Sequence, residues 1–266
     1  MLTAITRGVS LRLGDCELSF LPRQPIDIAE AMQQHHAYEQ CLGELGVRVI
    51  SLSAKAELPD AVFVEDPAVV VDEIAIITSM GTDKRQQEVD SVAAALSSFR
   101  PLKFLSYPAR LEGGDVMRIS RTLYVGASSR TNRAGIDQLE EILLTYDYQV
   151  RAVDVKECLH LKTGCSYLGR NTILANRSWV DIAPIKEFEV IDVPPAEPWS
   201  ANTLVIGDVV LLPSCFPQTR ALLEKRGFHV RTLDVSELMK AEAGLTCLSI
   251  IFDAFEDRHC PVFAAH

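Results

Sequence analysis

An α/β fold is predicted for this chain, on three observations. Strand-length apolar stretches alternate with stretches of helical spacing throughout; no Gly/Ser linker or low-complexity segment divides it; and a weak internal repeat runs along it. Apolar spacing near 3.6 predicts helices over about Asp27–Leu45, Gln86–Ser98, Arg133–Tyr146, Gln218–Arg226 and Val235–Ala241. Short β-branched or alternating runs predict strands at Val47–Leu52, Ala68–Val71, Ile74–Thr78, Val116–Ser120, Thr122–Gly126 and Gln149–Val153. Further strands are expected at Ser166–Leu168, Thr172–Ala175, Thr203–Ile206, Val209–Pro213, His229–Leu233 and Cys247–Phe252.

The repeat is a polar cluster followed by a strand, a tight turn and a second strand. Glu65-Asp66-Pro67, Glu112-Gly113-Gly114-Asp115, Lys162-Thr163-Gly164 and Ala201-Asn202 each open one copy, and a shortened copy begins at Gly244-Leu245-Thr246-Cys247. Successive copies start roughly 35 to 50 residues apart. Five such units closed into a ring would bring five polar clusters to one central channel. A two-layer sheet with polar turns fits the same periodicity.

Composition narrows the function. The 266 residues suffice for one domain with a full core, and apolar residues (48%) and charged ones (23%) occur at ordinary frequencies. The formal charge of −10 argues against nucleic acid, which needs a basic face, and permits a cationic substrate. The longest apolar runs, such as Ile74–Ile77 and Val209–Leu212, fall far short of the roughly 18 to 20 residues of a membrane helix. No basic region followed by an apolar stretch marks a secretory signal, so no membrane partner and a cytoplasmic location are expected. The seven cysteines are odd in number and form no C-x-x-C, which reads as reduced thiols. The paired Cys/His spacing of a zinc site is absent, so no metal is expected.

Within the polar clusters stand Asp60, Glu65, Asp66, Glu112, Asp115, His160 and Cys247. Two carboxylates ending the apolar run Ala61–Val64 are costly to bury without a partner, and a cationic ligand would supply one. Taken alone, Glu65-Asp66-Pro67 also fits ordinary turn chemistry. The glycines between Glu112 and Asp115 allow close backbone approach to a ligand, or simply a bulged hairpin. His160, flanked by leucines on an expected strand, points away from both. Cys247 by itself is a small core residue; as a nucleophile it needs surroundings that stabilise a thiolate.

Together these segments carry a resemblance. Pro59–Pro67, Leu111–Asp115, Ser129-Arg130-Thr131-Asn132, Leu159–Lys162 and Gly244–Ser249 resemble the dimethylarginine dimethylaminohydrolases, motif by motif and in order, from about Ala29 to Phe252. The resemblance implies the five-bladed α/β propeller, or pentein, fold, with pseudo-fivefold ββαβ repeats in a single domain over residues 1–266. It implies a nucleophile at Cys247, a general acid and base at His160 and a glutamate partner at Glu112. Substrate-binding roles fall on Asp60, Glu65, Asp66, Arg85 and Arg130, the two arginines meeting the substrate carboxylate. No cofactor is implied. One departure stands out: Thr78-Ser79-Met80-Gly81-Thr82-Asp83-Lys84-Arg85 lacks the arginine–proline pair the family usually carries there. A mobile lid falls near Leu18–Pro25, with Leu18 its candidate substrate contact.

The expected reaction is hydrolysis of an Nω-methylated arginine to citrulline and a methylated amine through a covalent cysteine intermediate. A deiminase-like guanidine hydrolase or an amidinotransferase would use the same side chains, and a non-catalytic binding protein could share the propeller. One fast-reacting cysteine, protected by methylarginine, would distinguish an enzyme from a binder. A homodimer is compatible with the sequence, which leaves open the oligomeric state and the role of the tail Asp253–His266, past the end of the resemblance.

Overall fold

The computed structural model describes residues 1–254; nearly all of the tail, with Cys260, lies outside the described residues. Five separate three-stranded sheets form the molecule. In the first, β3 (Ala68–Val70) pairs antiparallel with β4 (Ala75–Ile77), and α2 (Val89–Leu96) returns the chain to β5 (Leu102–Phe104), parallel to β4. The second repeats this with β6 (Val116–Ile119), β7 (Thr122–Ala127), α3 (Arg133–Leu144) and β8 (Gln149–Asp154). The fourth does so with β12 (Leu204–Ile206), β13 (Val209–Pro213), α5 (Pro217–Lys225) and β14 (His229–Leu233). This is the ββαβ unit expected from the sequence.

The third sheet departs from it. Its strands β9 (Cys165–Gly169), β10 (Thr172–Ala175) and β11 (Glu189–Asp192) follow the same pairing, but the crossover holds only a 3-10 turn at Ala183–Ile185, begun by Pro184. Trp179 and Ile185 fill the core where a helix would pack.

The fifth sheet closes the ring. β15 (Ile250–Asp253) pairs antiparallel with β1 (Leu2–Arg7), and α1 (Ile28–Glu44) leads to β2 (Arg48–Leu52), parallel to β1. The shortened repeat at Gly244 is therefore completed by the first residues of the chain. Strand β1 was not expected, because its residues are buried from Thr3 onward and show no alternation. The short β5 and the acid-flanked β11 carried too weak a pattern as well. The helix expected at Val235–Ala241 is a single turn, α6 (Ser236–Met239).

Tight turns and caps suit these joints. Arg170 and Asn171, both at positive φ, make the two-residue turn between β9 and β10, matching the twist of paired strands. Asp27 caps α1 by accepting the Glu30 N–H at 3.1 Å, and Asn132 caps α3 by accepting that of Gly135 at 2.8 Å.

The apolar core is divided among the blade interfaces. Five buried clusters each join two neighbouring sheets: Leu111, Leu123 and Leu139 link the first to the second, and Ile5, Ile77 and Leu96 link the fifth to the first. The first strands of the blades face the axis, where β15 meets β3, β6 meets β9 and β9 meets β12. The polar clusters lie at the starts of these inner strands, so the ring gathers them around the axis. No helix among the described residues is long and apolar enough to cross a membrane.

An interface core predicts position-specific losses. Leu139→Ala, at a fully buried site between the first two blades, should cost about 2–5 kcal/mol in urea unfolding. Met32→Ala, on the exposed face of α1, should stay within about 0.5 kcal/mol of the parent.

Candidate active site

Three of the five polar clusters are tied together largely through backbone N–H groups. Gly113 donates its N–H to the Asp66 carbonyl at 2.9 Å, and Gly114 donates to the Asp66 carboxylate at 3.1 Å. Glu65 donates to the Cys247 carbonyl at 3.3 Å. The two glycines are a matter of space: a Cβ on Gly113 would lie 2.0 Å from the Glu65 carbonyl oxygen, and one on Gly114 would lie 2.6 Å from His160 Nδ1. Any side chain there would push apart the acid pair and the histidine.

His160 is not on a strand, as expected from its flanking leucines. It is an extended residue that starts the single-turn helix α4 (Leu161–Gly164), and this directs its ring to the axis. Its Nε2 donates to Glu112 Oε2 at 2.7 Å, both groups being almost fully buried. Burial alone would lower the His160 pKa, but Asp66, the Glu112 hydrogen bond and Asp115 outweigh it and raise the pKa to about 9. The same pairing, with Arg85 and Arg130 nearby, overcomes burial at Glu112 and holds its carboxyl well below the usual range. Histidine and glutamate therefore form an ion pair at neutral pH.

Asp115, singled out in the sequence without a role, anchors this arrangement. Its buried carboxylate accepts from Leu161 N at 2.8 Å, Ser128 Oγ at 2.6 Å and Thr131 Oγ1 at 2.7 Å. One side chain thereby fixes both the turn after His160 and the loop that carries Arg130.

Cys247 lies in a 3-10 turn, 9% exposed, with Sγ accepting the Gly244 N–H at 3.4 Å. Burial, followed by the charges of Glu65 and Asp66, pushes its thiol up to about 12. The resting side chain is a neutral thiol facing anions.

The remaining expected residues fall into two groups. Arg85 and Arg130 converge on Glu112 from opposite sides, Nη1 lying 3.8 Å and 3.4 Å from its carboxylate. Arg85 is also bound by Asp66 at 2.8 Å and by Glu88, which spans its Nε and Nη2 at 3.0 and 2.8 Å. The loop that lacks the family's arginine–proline pair packs here: Gly81 donates to Glu112 at 3.0 Å, and a Cβ on Gly81 would lie 2.8 Å from the Arg130 backbone.

Glu65 and Asp60 face elsewhere. Glu65 pairs with Lys162 and accepts Thr246 Oγ1 at 2.9 Å, while Asn202 ties Lys162 and Thr246 together. A cavity of about 660 Å³ on that side touches Glu65, Lys162 and Thr246 but none of Asp66, Glu112, His160 and Cys247. The Lys162–Glu65 pair is thus the floor of the site. Asp60 accepts the Glu17 N–H at 3.2 Å and so holds the lid, whose residues Leu18 and Ser19 line a cavity of about 480 Å³ at the mouth, next to Arg130.

Lys162, Glu88 and Glu242, the last of which binds the lid, were not picked out as site residues. Lys162 sat inside a recognised cluster, but only the fold shows it opposite Glu65. Asp66, Glu112 and His160 offer ligand atoms within 4.8 Å of one another, so a metal ion could be held there; Arg85 and the protonated imidazole already supply positive charge to both acids. Because Asp66 and Glu112 are planar acceptors flanking one point, the arrangement suits a guanidinium at least as well.

Residues 22–191 match the family described as N,N dimethylarginine dimethylhydrolase, eukaryotic. The N(G),N(G)-dimethylarginine dimethylaminohydrolase of Pseudomonas aeruginosa is 34% identical over 228 residues, spanning 85% of this chain and 90% of the relative. The Pseudomonas aeruginosa enzyme, solved as a cysteine-to-serine mutant complexed with citrulline, superposes with a TM-score of 0.89 at 31% identity, over 94% of this chain and 98% of the other. A histidine-to-glycine dimethylarginine dimethylaminohydrolase, solved as an adduct with S-methyl-L-thiocitrulline, gives a TM-score of 0.89 at 32% identity over 94% and 99%. The chain belongs to the dimethylarginine dimethylaminohydrolase family.

Proposed function

We propose that this protein hydrolyses Nω-methylated arginine to citrulline and a methylated amine, with Cys247 as nucleophile. The observation that carries the reading is the buried Glu112–His160 ion pair set beside Asp66 and a neutral thiol. The relatives' complexes with citrulline and S-methyl-L-thiocitrulline support a small arginine-derived ligand.

In this reading the guanidinium docks on Asp66 and Glu112, which aim its central carbon at Cys247. Burial raises the free thiol's pKa and the charges of Glu65 and Asp66 add to it, so a bound cation that offsets those charges favours the thiolate. Substrate binding itself then activates the nucleophile, the thiol proton passing to solvent as the cation docks and returning to sulfur when citrulline forms. The thiolate adds to the central carbon, His160 protonates the departing amine, and an S-alkyl-thiouronium remains. His160, now neutral, takes a proton from water, which adds to that carbon and expels the thiolate, leaving citrulline. No cofactor enters these steps. Arg130 places positive charge beside the lid residues Glu17 and Ser19, where the substrate carboxylate would lie; Arg85, held by Glu88, orients Asp66. Glu65, engaged by Lys162, acts through the floor and through the charge it places near sulfur.

The resting electrostatics also change the expectation for thiol chemistry. Cys247 should alkylate with iodoacetamide at neutral pH more slowly than the exposed Cys215, the reverse of a fast-reacting nucleophile. Peptide mapping after short labelling reads the difference.

A citrulline assay against arginine, monomethylarginine, dimethylarginine and agmatine tests the substrate, with the methylated arginines expected to turn over. Release of citrulline from arginine alone would replace the proposal with a deiminase. Cys247→Ser should lower turnover at least about a thousandfold while melting like the parent. His160 must be protonated to act as acid, so kcat/KM should fall as pH rises through about 9, and a profile flat across that range would exclude the role.

A further inference from the structure

The lid is held by a side chain that the mechanism does not use. Glu242 is 8% exposed, and its carboxylate accepts three successive backbone N–H groups: Ser19 at 3.0 Å, Phe20 at 2.5 Å and Leu21 at 2.6 Å. No basic side chain pairs with it among the described residues. Successive N–H groups curled around one anion form a concave site for negative charge, here filled from within the chain. Glu242 also adopts positive φ (60°), a conformation costly for a residue with a long side chain, directly after α6.

Its location gives the contact meaning. Glu242 stands five residues before Cys247, in the loop where Gly244 donates to the sulfur. At the other end of the lid, Asp60 holds the Glu17 N–H. Leu18 is therefore pinned on both sides, between one carboxylate on Glu17 and another on Ser19. The pinned segment reaches the substrate end of the pocket: Glu17 Oε2 is 3.5 Å from Arg130 Nη1, and Ser19 Oγ is 3.4 Å from Nη2.

We infer that Glu242 is a positioning residue, a latch that fastens the lid to the nucleophile loop and thereby sets affinity for the amino-acid end of the substrate. The inference rests on the proposed methylarginine activity for its kinetic consequence, but the latch itself is a property of the free protein. Loss of the latch lowers the closed fraction, and apparent affinity falls by that fraction while the chemistry in the closed state is unchanged.

Glu242→Gln keeps the shape and one acceptor oxygen, but it removes the charge that the three N–H groups share at Oε1 and puts an amide N–H₂ where Oε2 meets the Ser19 N–H. With monomethylarginine its KM should rise at least about tenfold and its kcat stay within about threefold, as expected for loss of charge-assisted hydrogen bonds outside the reacting centre. Glu242→Asp, which keeps the charge, should recover part of the loss. Trypsin should cleave after Arg23 at least about tenfold faster in the glutamine variant. In the unsubstituted protein, hydrogen exchange should protect the Ser19, Phe20 and Leu21 amides together. Unprotected amides, or a folded glutamine variant with unchanged KM and unchanged cleavage, overturn the latch. If methylarginine is not turned over at all, the proposed activity fails, and exchange and cleavage still decide the latch.

Discussion

A carboxylate withdrawn from water must regain its stabilisation from other groups, and the middle of this ring holds several. Asp66, Glu112 and Asp115 are almost entirely buried where the inner strands converge. Each has dedicated partners: Arg85 for Asp66, His160 for Glu112, and a hydroxyl–amide cage for Asp115. Much of the surrounding structure follows from that need. The glycines let backbone amides approach, the turn before α4 presents the imidazole, and Glu88 keeps Arg85 in line with Asp66.

One buried carboxylate bears on both groups assigned to chemistry. Burial is the main cause that raises Cys247, and Glu65 and Asp66 add to it, while Asp66, with Glu112 and Asp115, raises His160 against burial. Both settings are useful if the missing component is a cation. In the proposed reading, a bound guanidinium offsets the carboxylate charges around the thiol. A neutral urea, such as citrulline's, would not have this effect, so the product does not sustain the activated state.

Much of the fold was legible because the repeat is written in chemistry as well as in hydropathy: each inner strand is preceded by a polar cluster. The closing blade was not, since β1 is buried on both faces and lies some two hundred residues from the copy it completes. At the site, Glu112, His160 and Cys247 were named from their motifs, and the structure places the first two in contact. Arg85 was assigned to the substrate carboxylate, yet its pairing with Glu88 and Asp66 depends on how a 3-10 turn (Asp83–Glu88) faces β3, which spacing does not encode. Glu242 was invisible for a similar reason: an acid in a polar loop looks solvated until the fold lays three lid amides over it.

Ring closure through β15 and β1 has a consequence for biogenesis. The thiol turn sits just ahead of β15, and its carbonyl is gripped by Glu65 only once that strand lies between β1 and β3. In the proposed reading, a chain cut before Gly244 would lose the thiol and, with it, the strand β15 that pairs with β1 to close the ring.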